Sequence, residues 1–189
     1  LDRGVIYVIA HIRGGGEMGR SWYQNGKKLA KKNTFTDFVD VTSYIAAKPW
    51  ADEARIGCYG GSAGGLLMGA VLNLAPEKYA ACLAAVPFVD ALTTILDPEL
   101  PLSAMEWEEW GNPIEDPEVY AYMKSYTPYE NIRPVRYPAI AAVTSLHDTR
   151  VLYVEPAKWI AALREQIDPS SPVPLLKIDM SGGHGGGSG

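Results

Sequence analysis

Apolar residues fall into short runs at 4–10, 55–59, 81–86, 139–144 and 174–178, where Val, Ile, Leu, Ala and Cys crowd together as they do in buried strands. Between most of these runs the apolar positions recur every three or four residues, and the spacing predicts helices over 36–48, 63–74 and 156–166. The first helix opens on Thr36-Asp37 and stops before Pro49, the second ends before Pro76, and the third has Pro156 at its first position. Strands alternating with helices predict an α/β chain with a mostly parallel sheet and helices on both faces. Residues 90–136 interrupt the alternation with Pro, Trp, Tyr and acids and no strand-like run. Such an insertion belongs beyond the carboxyl ends of the strands, where α/β sheets bind ligands.

Composition narrows the picture. The chain has 189 residues, 47% of them hydrophobic, which suffices for one domain with a substantial core but is small for a complete α/β enzyme. Its first apolar run follows Leu1-Asp2-Arg3 directly and it closes on a glycine-rich stretch, so a catalytic domain truncated at both ends is expected. No window approaches the roughly 20 apolar residues that cross a bilayer, and a soluble chain without a membrane partner is expected. A net charge of −5 argues against a nucleic-acid surface and suits a basic ligand. Cys58 and Cys82 lie in strand-like runs and are expected to be buried and reduced, which fits a cytoplasmic protein. The sequence has no metal-ligand cluster or phosphate loop, and Gly14-Gly15-Gly16 is not flanked as a dinucleotide site requires, so no metal or other cofactor is expected.

The chemistry is carried by Gly60-Gly61-Ser62-Ala63-Gly64, a G-x-S-x-G pattern set between a predicted strand and a predicted helix. A strained turn there exposes Ser62 as a nucleophile, aims the Ala63 backbone N–H at a developing oxyanion, and is expected to require glycine on either side. A serine hydroxyl needs a base. In this fold the partners follow in the order Ser, acid, His, and of His11, His147 and His184 only His184 lies downstream of a plausible acid. Glycines flank it and would let its imidazole approach the serine closely. Asp148, just past the run 139–144, is placed to orient the imidazole. Asp179 is the rival acid, but it sits inside the last run and reads better as a polar strand end. Gly14-Gly15-Gly16 is read as a structural loop, because only one helix separates it from the strand before Ser62.

His11-Ile12-Arg13-Gly14-Gly15-Gly16-Glu17, the serine motif extended to Gly65, Glu106-Trp107-Glu108-Glu109-Trp110-Gly111-Asn112-Pro113, Tyr122-Met123-Lys124-Ser125-Tyr126 and Gly182-Gly183-His184-Gly185-Gly186 together resemble the oligopeptidase B branch of the prolyl oligopeptidase family. The resemblance covers essentially the whole chain and implies an α/β-hydrolase fold. It implies a serine endopeptidase cutting short basic peptides after Arg or Lys, behind an N-terminal β-propeller that is not in this chain. It assigns Ser62, Asp148 and His184 as the triad, Glu106 and Glu108 as carboxylates for the basic P1 side chain, and Arg150 as a contact to substrate main chain. Two acids in a half-buried pocket would grip a guanidinium and reject neutral side chains. Without the resemblance, Glu106 and Glu108 read as a solvated acidic turn. The family's second oxyanion donor, a tyrosine, and its P2 acids fall in sequence before Leu1. A prolyl-type peptidase, a carboxylesterase and a non-catalytic binding module on the same fold are the competing readings.

Overall fold

Residues 2–100 and 102–185 are described by the computed structural model, in which four of the strand-like runs pair into one parallel sheet. The chain passes through helices α1 (Arg20–Gln24) and α2 (Lys32–Ala46), then strand β1 (Gly57–Gly61), helix α3 (Ala63–Leu74) and strand β2 (Ala81–Ala85). Three short helices follow, α4 (Ala91–Ile95), α5 (Trp107–Trp110) and α6 (Pro117–Lys124). The chain then returns through strand β3 (Ala139–Ser145), helix α7 (Val154–Gln166) and strand β4 (Leu175–Asp179). The sheet order is β1-β2-β3-β4, so each strand lies beside its predecessor after a helical crossover. Cys58 pairs with Cys82, Ala85 with Val143 and Ser145 with Asp179, which brings the carboxyl ends of all four strands to one edge. The insertion 90–136 contributes helices and no strand among its described residues.

Alternation along the strands decides where the core sits. Cys58, Cys82, Ala84, Ile140 and Ala142 are buried and form one cluster with Leu66, Met68, Val71 and Leu72 of α3 and Trp159, Ile160 and Leu163 of α7. Each large apolar side chain buried there contributes about 1.5–3 kcal/mol. The helix α3 can lie this close because Gly65 and Gly69 have no side chains: a Cβ on either would come within 2.5 Å of Pro87 or Pro128. Tyr59, Leu83 and Leu175 point to the other face and are exposed, along a groove that α2 also borders through Phe38 and Ile45. Both cysteines are buried free thiols.

The run 4–10 departs from expectation. Its residues form no strand, and Val5, Ile6, Tyr7, Val8 and Ile9 are exposed along a broad groove that they share with Cys58 and Tyr59 of β1 and Phe38 of α2. Strand composition describes fitness for a pleated, half-buried surface, and a ladder forms only where a neighbour takes the backbone N–H and C=O groups. Helix α2 also begins earlier than predicted, at Lys32 rather than Thr36, whose hydroxyl donates back to Lys32 and Asn33 carbonyls. A tertiary anchor sets that start. Lys31 is buried with its ammonium 4.9 Å from the Trp110 ring centroid and 3.1 Å from Glu109. Helix α7 likewise begins two residues before Pro156.

Candidate active site

Ser62 joins β1 to α3 with φ 55° and ψ −119°, a conformation that L-residues avoid and that costs on the order of 1–3 kcal/mol. The surroundings over-determine it. Its N–H donates to Ala85 O at 2.9 Å, and its carbonyl accepts from the N–H groups of Gly65, Leu66 and Phe88. Gly60 is required here, since a Cβ would sit 2.3 Å from the Gly64 carbonyl oxygen. Gly64 is a correction to the sequence reading: a Cβ there meets nothing within 4 Å among the described residues, because it faces the open groove beside β1. Ala63 is the first residue of α3, so its N–H has no acceptor within the helix and is free to donate to a bound oxyanion.

Asp148 lies in the turn after β3, fully enclosed, and its Oδ1 accepts from the backbone N–H groups of Arg150 at 2.9 Å and Val151 at 3.0 Å. Those donors fix the carboxylate before any partner arrives. His184 Nδ1 lies 2.8 Å from Asp148 Oδ2 and 3.0 Å from Oδ1, so an Nδ1–H donates to the acid and leaves Nε2 as the free ring nitrogen. No hydrogen bond joins Ser62 Oγ to the imidazole among the described residues, and catalytic contacts of this kind commonly tighten only once substrate is bound. Cβ atoms on Gly183 or Gly185 would meet nothing within 4 Å among the described residues, so no close packing seen there requires these two glycines.

The rival acid has a different task. The Asp179 carboxylate accepts from Ser181 N, Ser181 Oγ and Gly182 N, shaping the turn that carries His184. This positioning role was missed by the sequence reading, although Asp followed by Ser and Gly is a turn signature. His147 is exposed, and His11 uses its carbonyl to accept from the Trp22 indole at 3.0 Å. The glycine loop is scaffold. Thr34 Oγ1 donates to Arg13 O at 2.7 Å, and Arg13 grips Asp37 through Nε and Nη2, which holds the Asp37 carboxyl below its usual range.

Ser62 and Ala63 open onto a cavity of about 100 Å³ whose walls include Thr94, Ile95, Glu106 and Arg150. Glu106 accepts from the Trp110 indole N–H at 2.7 Å, which holds the carboxylate in place on the wall. Glu108 does not line this cavity. Its carboxylate is 82% exposed and faces Lys28 at 3.1 Å and Lys27 at 3.9 Å, and these ammonium groups, Lys28 foremost, hold its carboxyl below the usual range. Of the two acids expected together, Glu106 lines this cavity and Glu108 does not, because residues two apart on a helical turn point to different sides. Arg150 is exposed at the cavity mouth, two residues after the acid.

The prolyl oligopeptidase family pattern matches residues 1–189. The chain belongs to the prolyl oligopeptidase family. It is 53% identical over its whole length to dipeptidyl aminopeptidase BI of Pseudoxanthomonas mexicana and 46% identical to Protease 2 of Moraxella lacunata, covering 26% and 27% of those proteins. Among solved structures it resembles oligopeptidase B from Leishmania major, with 50% identity and a TM-score of 0.88 over 92% of this chain and 24% of that one. Oligopeptidase B from Trypanosoma brucei with covalently bound antipain matches equally well, at 49% identity and TM-score 0.88 over the same shares. The chain thus spans about a quarter of the length of its relatives and carries part of their α/β-hydrolase fold. No described helix is long and apolar enough to cross a membrane.

Proposed function

We propose that this chain supplies the nucleophile, acid and base of a serine endopeptidase that cuts short peptides after Arg or Lys. The Asp148–His184 pair, carried with the strained Ser62 on turns at the carboxyl edge of the sheet, supports the reading, because an imidazole with its Nδ1–H held by a buried carboxylate is a base waiting for a hydroxyl. Ser62 Oγ attacks the scissile carbonyl while His184 Nε2 takes its proton, and Asp148 stabilises the imidazolium. The Ala63 N–H donates to the oxyanion. His184 then returns the proton to the leaving amine, and water attacks the acyl-enzyme with the same base. The relative with covalently bound antipain is in keeping with covalent chemistry at such a site.

Glu106 supports the basic preference. A carboxylate fixed by Trp110 on the wall of a small cavity beside the nucleophile can pair with a guanidinium or ammonium, and a neutral side chain would leave it unpaired. Arg150, at the mouth, donates to a main-chain carbonyl of the substrate. In the full-length protein an upstream tyrosine gives the second oxyanion donor, and an N-terminal propeller limits access to short peptides. The chemistry uses no cofactor, and the protein works in the cytoplasm. The 53% relative named as a dipeptidyl aminopeptidase favours a second reading, removal of N-terminal dipeptides.

The deciding assay compares arginyl, lysyl and prolyl amides and a small neutral ester on the full-length enzyme, each with free and blocked N-termini. Preferred cleavage of blocked arginyl and lysyl amides is expected. Exclusive action on free dipeptidyl amides selects the second reading, and preference for prolyl amides or esters refutes both.

A further inference from the structure

The cavity beside Ser62 has two walls from different parts of the chain: α4 with the stretch after it gives Thr94 and Ile95, and the turn from β3 to α7 gives Arg150 and Leu152. Between them lies Glu155, a buried acid in the first turn of α7. One of its oxygens accepts from the Asp90 backbone N–H at 3.0 Å and the other from the Thr94 hydroxyl at 2.5 Å, while its own N–H donates to Leu152 O at 3.0 Å. Lys158, one turn on, meets Asp90 Oδ2 at 2.5 Å and lies 4.6 Å from the Tyr129 ring centroid. Burying a carboxylate is costly, and an apolar residue of similar size would fill the same space without that cost. A five-residue helix has little stability of its own and depends on such outside contacts.

We propose that Glu155 is a positioning residue for P1 binding, which clamps α4 against the turn bearing Asp148 and Arg150 and thereby sets the width of the cavity. The inference rests on the reading of that cavity as the P1 pocket. Both oxygens of Glu155 act as acceptors in this geometry, which is the arrangement of the ionised form. Burial is the main cause that pushes its carboxyl up to about 7, against the opposing hydrogen bonds from Thr94 and Asp90. The charged and titratable groups around it are Asp90 at the N-cap of α4, whose charge pushes it the same way, Lys158 on its own helix, which opposes, and Tyr129 beneath Lys158. Protonation gives up one acceptor, so the clamp loosens as pH falls through about 7.

The test is Glu155→Gln in the full-length enzyme, read as KM and kcat for a peptidyl-arginine amide from pH 5.5 to 8.5. Wild-type KM is expected to rise as pH falls through about 7. The variant should show a KM about 10-fold higher at pH 8 and no such step, with fluorophosphonate labelling of Ser62 unchanged. A wild-type KM and pH profile in the variant overturns the proposal. If Glu155→Gln does not fold, Thr94→Val removes one donor from the clamp and is expected to raise KM at pH 8 by about 3- to 10-fold, and an unchanged KM there overturns it as well. A wild-type enzyme without preference for Arg or Lys refutes the basic-P1 reading instead, while the KM step for whichever residue it does accept still judges Glu155.

Discussion

The carboxyl edge of the sheet and its open face come from the same four strands and hold their residues in opposite ways. At the carboxyl edge Ser62 has backbone bonds to four other residues, and Asp148 is fixed by two N–H donors before His184 approaches. On the open face Tyr59, Leu83 and Leu175 alternate correctly with the core positions yet remain exposed, and the run from Val5 to Ile9 lies exposed along the same groove. Order at the site comes from hydrogen bonds within its turns and to segments this chain itself places alongside, whereas order on the face depends on what another segment brings to it. The former is robust to what surrounds the sheet. The latter is not.

If the strained turn and the fixed acid constitute the catalytic apparatus, their removal gives the largest effects available in this molecule. Ser62→Ala in the full-length enzyme should abolish fluorophosphonate labelling and lower kcat by at least about 10⁴-fold. Asp148→Asn keeps the two backbone hydrogen bonds but cannot hold the imidazole in the same tautomer, and a loss of about 10⁴-fold is expected. Near-normal labelling of Ser62→Ala would show that the nucleophile is another residue and that the strained turn serves the fold alone.

Smaller effects separate two acids only two residues apart. Glu106→Gln should lower kcat/KM on arginyl amides by about 30-fold to several thousand-fold, as expected for one partner lost from a desolvated charge pair, and should spare a neutral ester. Glu108→Gln removes an exposed pairing with Lys28 and should change the same ratio by no more than about 5-fold. Equal losses in both variants would show that the second acid enters the pocket when substrate binds.

The same contrast explains what could be read from the sequence. The helix Ala63–Leu74 matches its predicted bounds and four strands fall within two or three residues of theirs, because glycine placement and apolar spacing act locally. The Asp148–His184 contact was also legible, since chain order in this fold constrains which acid can serve which histidine. The strand predicted at 4–10 was not, because composition cannot supply a hydrogen-bonding neighbour. That Glu108 faces Lys28 rather than the Ser62 cavity was not legible, because a motif conveys residue identity without the direction in which a one-turn helix points it. The role of Glu155 has no local signal at all: its partners Asp90 and Thr94 lie more than 60 positions away in sequence.

The smallest effect tests the open face directly. Leu72 is fully buried between α3 and the rest of the core, so Leu72→Ala should cost about 2–5 kcal/mol in chemical unfolding of the chain by itself. Leu83, on the open face of β2, is 42% exposed and has less buried area to lose than Leu72, so Leu83→Ser should change the same measurement by about 1 kcal/mol or less. An exposed apolar face promotes association, so the Leu83 substitution should also raise the soluble yield of the isolated chain. In the full-length protein the outcome depends on what lies over that face. If another part of the protein covers Leu83, the same substitution buries an unpartnered hydroxyl and should cost about 1–3 kcal/mol there while remaining near neutral in the isolated chain. A neutral result in both settings would show that the face stays open in the whole enzyme, and the contrast between the two regions would then belong to the fold itself rather than to the company it keeps.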